Sequence, residues 1–196
     1  MNKKEKLINI FKQFLIKDSQ IRRDALVFGK NQGIKFEDNL KKIFDDNGIN
    51  YIYQPNGSQK FPDFVLTDFT LQINIECKTS EKGNIVWNSG IAHKDMILLY
   101  ASAHNKSNDM TFFLGKQRMP SDDIRDRFKQ WIKNKRDVLS DTFNNDFRDD
   151  LSQMYSLYLR EMLNDKIHNF LKNPKRKEWE NEVISFLQSL NVNDNK

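Results

Sequence analysis

The chain has 196 residues, enough for one domain with a sizeable core and too few for two comfortable ones. Hydrophobic residues make up 38% and charged residues 30%, with 15 Phe, so the composition is that of a folding chain and not a disordered one. The net charge of +5 leans towards a polyanionic partner, and the single cysteine, Cys77, excludes an intrachain disulfide and a cysteine-held zinc. No run approaches the roughly 20 apolar residues of a membrane span, so a reducing cytoplasm and no membrane partner are expected.

In chain order, Leu7, Ile8, Ile10, Phe11, Phe14 and Leu15 recur at helical spacing and predict a first amphipathic helix. Gly29 and Gly33 bracket a break. A second helix is expected over about residues 36–46, burying Phe36, Leu40, Ile43 and Phe44 and stopped by Gly48. Residues 49–54 read as a short strand and 55–58, Pro-Asn-Gly-Ser, as a turn. Phe64, Val65 and Leu66 continue the sheet, residues 67–69 turn the chain, and residues 70–78 alternate. Leu71, Ile73, Ile75 and Cys77 fall on one face, with Gln72, Asn74, Glu76 and Lys78 on the other.

Residues 96–101 form a continuous apolar run and 111–114 a shorter one, both expected to join the sheet. Beyond Pro120 the period becomes helical. Ile124, Phe128, Trp131 and Ile132 predict one helix, residues 151–171 a long second one, and Trp179, Val183, Ile184, Leu187 and Leu190 a last one after Pro174. Trp131, Tyr155 and Tyr158 are expected in the core. The whole reads as an α/β fold of one domain, with a core over about 34–118 and a helical C-terminal part over about 121–190.

Chemistry concentrates at the hairpin. Asp63 opens one of its strands and Glu76 lies near the end of the other, with twelve residues between them, so the two carboxylates should meet. Glu76 and Lys78, two apart in a strand, project from one face and bring an ammonium to the same point. Carboxylates held this close repel unless a hard cation lies between them, and magnesium suits oxygen donors of this kind. The Cys77 backbone carbonyl is a plausible third ligand.

Pro62-Asp63 and Glu76-Cys77-Lys78 resemble the signature of the PD-(D/E)XK nucleases, and in particular the type II restriction endonucleases, over about residues 36–103. That resemblance implies a mixed central sheet flanked by helices and Mg²⁺-dependent hydrolysis of DNA phosphodiesters, with Mn²⁺ able to substitute. It implies Asp63 and Glu76 as metal ligands and Lys78 as the catalytic lysine. An acidic residue on the preceding helix often joins such a site, and Glu37 is the candidate. The same core also serves junction resolvases and repair nucleases, or a DNA-binding subunit without activity.

After Lys78, residues 79–94 read as a polar loop able to face double-stranded DNA through Thr79, Ser80, Lys82, Asn84, Trp87, Asn88, Ser89, His93 and Lys94. The basic cluster Lys172, Lys175, Arg176 and Lys177 offers further phosphate contacts or a solvated loop. A second apolar seam on the long helix, at Leu157, Leu159 and Met162, points to a homodimer, which would set one site on each strand of a duplex.

Overall fold

The computed structural model describes residues 1–28, 32–57, 60–80, 85–88, 93–102, 109–119, 121–148, 151–154, 157, 162–167 and 169–193. A mixed five-stranded sheet carries the molecule. Its strands are β1 (Tyr51–Tyr53), β2 (Phe64–Leu66), β3 (Ile73–Ser80), β5 (Ile97–Ser102) and β6 (Asp109–Leu114), in the order β1-β2-β3-β5-β6. Only the β3–β5 pair is parallel; the other three are antiparallel. A separate two-stranded sheet joins β4 (Val86–Asn88) to β7 (Met162–Asn164).

Alternation along the strands divides the apolar residues between two cores. Ile73, Ile75 and Cys77 of β3, with Ile97, Leu99 and Ala101 of β5, face helices α1 (Lys3–Leu15) and α3 (Gln32–Asp46). Phe11 and Phe14 from α1, and Leu40 and Phe44 from α3, close this layer at the helical spacing read from the sequence. The opposite face puts Leu98 and Tyr100 of β5 and Phe113 of β6 under Trp87, Phe170 and Trp179. Helix α6 (Arg176–Ser189) lies against β6 and supplies both cores, Val183 and Leu187 to the first and Trp179 to the second.

Helix ends follow local chemistry. Asn2 and Glu5 form a reciprocal capping box on α1, and Ser19 caps a short α2 (Gln20–Ala25) absent from the sequence reading. α3 begins at Gln32, earlier than expected, so Gly33 lies within the helix and does not close the break. The helix stops where Gly48, at φ 63°, lets the Ile49 N–H reach back to the Phe44 carbonyl at 2.9 Å.

Other expectations need correction. Leu71 is 55% exposed, because β3 starts only at Ile73 and the preceding residues belong to the turn. The helix after Ser121 is α4 (Asp122–Asp146), and among its described residues Arg125 alone is buried; Trp131 is 54% exposed and not a core residue. The C-terminal third is not uniformly helical. In place of the long helix over 151–171 there is one turn, α5 (Leu151–Met154), then strand β7, then a 3₁₀ turn at Phe170–Lys172. The seam that pointed to a homodimer therefore has no helix to carry it: Met162 is a strand residue, Leu157 is exposed, and Leu159, Tyr155 and Tyr158 lie outside the described residues. Residues 162–164 pair with β4 and Phe170 is buried in the second core, tertiary demands that helical periodicity does not register.

Candidate metal-dependent catalytic site

The β2–β3 hairpin brings the two acids together as its length requires. Phe64 pairs with Ile75 and Leu66 with Ile73, which sets Asp63 beside Glu76 at the end of the ladder. Continuing that register places Pro62 opposite Cys77. The Cys77 N–H donates to the Asp63 carboxylate, at 2.7 Å to Oδ2, and Pro62, having no N–H, cannot donate to the Cys77 carbonyl. Both backbone groups of Cys77 point the same way from the strand, towards Asp63.

Glu76 is 5% exposed, an unusual position for a carboxylate. Its Oε1 accepts from the Lys78 ammonium at 2.5 Å, while its Oε2 is buried with no hydrogen-bond partner among the described residues. The charge of Glu76 bears on the neighbouring Asp63 and opposes its ionisation. Burial, then the Glu76 charge, pushes the Asp63 carboxyl up to about 7, against the pull of the Cys77 N–H and Lys78. Burial also raises Glu76, with Lys78 lowering it in part.

Glu37 arrives from α3. Its Oε2 accepts from the Tyr53 hydroxyl at 2.6 Å, and Gln54 in turn donates to that hydroxyl at 2.9 Å. Burial raises the Glu37 carboxyl, the Tyr53 bond lowers it, and the Asp63 charge raises it again. Glu37 thus shares the electrostatic field of Asp63, Glu76 and Lys78 while its own carboxylate is held by Tyr53. Burial, then Glu37, raises the Tyr53 hydroxyl, keeping it a donor. Lys78 sits 5.3 Å from the centre of the Phe61 ring, its side chain 17% exposed.

Among the described residues no group of three or more His, Cys, Asp or Glu side chains forms a ready metal cage. The donor set here is different in kind: two carboxylates and a backbone carbonyl, all hard oxygens, with one buried carboxylate oxygen lacking a partner among the described residues. That set fits a divalent cation of the magnesium class, which keeps several waters and needs few protein ligands.

On the second face of the sheet β4 and Phe170 shield β5 and β6, while on β3 the same face carries Asn74, Glu76 and Lys78. Beside it lies a cleft of about 230 Å³ whose lining includes Phe61, Pro62, Gln72, Asn74 and His93.

The residues expected to face DNA separate. Thr79 and Ser80 continue β3 and are half-buried. Trp87 is a correction: it is buried on β4, its indole N–H donating to Asp165 at 3.1 Å, because Asp165 and Arg118 make a buried anchor for the small sheet. Asn88 also belongs to β4, so residues 79–94 include strand and are not one polar loop. His93 and Lys94 are exposed at the cleft side, each 3.9 Å from an Asp122 oxygen. Lys82, Asn84 and Ser89 lie outside the described residues. Arg176, read as part of a surface basic cluster, turns inward to Asp109 and Glu180.

What the sequence reading missed is Tyr53, whose only signal was its place in a short strand ahead of the turn. No protein-family model, curated protein or solved structure matches the chain. No helix among the described residues is long and apolar enough to cross a membrane.

Proposed function

We propose that the protein is a Mg²⁺-dependent endodeoxyribonuclease of the PD-(D/E)XK kind, with the restriction-endonuclease-like fold and a type II restriction activity. The observation that carries the reading is the convergence of Asp63, Glu76 and Lys78 across the β2–β3 hairpin, with Glu76 Oε2 buried and without a partner among the described residues. The mixed sheet between helices supports the fold assignment.

Asp63, Glu76 and the Cys77 carbonyl would hold the cation. When bound, Mg²⁺ supplies an acidified water and charge stabilisation at the phosphate. Lys78 exchanges its ion pair with Glu76 for a contact to a phosphate oxygen, neutralising the anion and orienting the attacking water. Glu37, held by Tyr53, adds negative charge that favours the cation and steadies the lysine.

Incubation of a plasmid or phage genome with the protein, in Mg²⁺ or EDTA and beside a Glu76→Ala variant, tests the proposal. Discrete fragments that need both Mg²⁺ and Glu76 are expected. A smear would move the reading to a repair or junction nuclease, and intact DNA from unmethylated templates under every condition would overturn it.

A further inference from the structure

We propose that α4 is a DNA-backbone arm, in which Lys129 and Lys133 take phosphates away from the scissile position. The inference rests on the nuclease reading and extends it to a surface that reading does not use.

His93 lines the cleft next to Pro62 and Asn74, with its Nδ1 3.9 Å from an Asp122 oxygen, and it feels the charges of Arg125, Lys129 and Asp126. Those positions are spaced three and four apart, so one face of the first two turns of α4 runs past the wall of the cleft. Lys133, four residues beyond Lys129, continues that face.

The charge pattern is local. Residues 127–136 contain Arg127, Lys129, Lys133, Lys135 and Arg136 and no acid, whereas Asp residues lie at both ends of the helix. Lys129 and Lys133 stand one turn apart on an exposed face of the helix, while Arg127, Trp131 and Lys135 project from the other side. Exposed lysines in a row along a helix suit the phosphates of a duplex backbone.

A second copy of the chain is a poorer occupant, because parallel pairing in register sets Lys129 and Lys133 against themselves. With 25 residues the helix is about 37 Å long, close to one turn of duplex.

The test is binding of a 30-base-pair duplex by fluorescence anisotropy, with Ca²⁺ in place of Mg²⁺, over a range of salt. Lys129→Glu/Lys133→Glu is compared with Lys12→Glu/Lys17→Glu, an equal change of net charge at exposed positions around the end of α1, which packs on the opposite face of the sheet. The α4 pair should lose at least about tenfold in affinity and lower the slope of log K against log salt by about two, each lysine having neutralised one phosphate. The control pair should change affinity less than about threefold. Equal losses in both pairs, or no loss in the α4 pair, would overturn the arm while leaving cleavage by the wild type intact. A changed oligomeric mass in light scattering with unchanged DNA affinity would overturn it in favour of a contact between copies. If the wild type binds no duplex at all, the nuclease reading itself falls, and the arm with it.

Discussion

Two pairs of neighbouring carboxylates, Asp109 with Glu180 and Asp63 with Glu76, are treated in opposite ways. At one edge, Asp109 accepts from Arg22 and from both terminal nitrogens, Nη1 and Nη2, of Arg176, while Glu180 accepts from Arg176 Nε and from the Thr111 hydroxyl at 2.8 Å. Burial pushes the Asp109 carboxyl up, but the hydrogen bonds and charge of Arg176, with Arg22, outweigh it and hold the group below its ordinary value. At the hairpin, Asp63 and Glu76 share one lysine, an oxygen has no hydrogen-bond partner among the described residues, and both carboxyls rise. A carboxylate pair that serves the fold is completed from within. One left incomplete costs stability, and the proposed function gives that cost a reason, a cation that the pair would hold.

The contrast can be broken or sharpened by substitution. The largest effect expected is on cleavage: Asp63→Ala or Glu76→Ala should lower the rate in Mg²⁺ by about a thousandfold or more, measured on plasmid, with little change in folding. Next, Arg176→Ala strands Asp109 and Glu180 and should destabilise by about 3 kcal/mol in urea titration. A smaller effect of opposite sign comes from Asp63→Asn. Because the folded pKa of Asp63 is raised, its contribution to stability is complete below the unfolded value near 4 and is lost as pH rises through about 7. In EDTA the Asn variant should therefore be more stable than wild type by about 2 kcal/mol at pH 8, with the gap narrowing as pH falls and closing below about pH 4. Asp109 behaves the other way, its contribution being present above its unfolded value and lost as pH falls through the lowered one. The smallest change is Tyr53→Phe, which removes the donor to Glu37 and should cost about 1 kcal/mol by thermal melting, with cleavage reduced less than tenfold.

Much of this was legible in the residues. The alternation Ile73, Ile75, Cys77 against Asn74, Glu76, Lys78 set the faces of β3, and the short spacing from Asp63 to Glu76 fixed the hairpin that joins the acids. The helices α1, α3 and α6 followed from apolar period because each buries a single stripe. What stayed hidden depended on partners distant in sequence. Residues 162–164 are a strand because β4 is there to pair with them, Trp87 is structural because Asp165 reaches it, and Arg176 faces inward because Asp109 does. Glu37 could be named from its helix, but its engagement by Tyr53 needed the sheet in place.

The most direct measurement is Mn²⁺ binding by calorimetry at pH 7 in buffers of different ionisation enthalpy. With its carboxyl near half-protonated, Asp63 must shed a proton to take a cation, so the account predicts binding accompanied by proton release, both abolished in Asp63→Asn. Binding that is absent from the wild type, or that persists unchanged in the Asn variant with no proton released, would contradict the claim that the Asp63–Glu76 pair is a metal site.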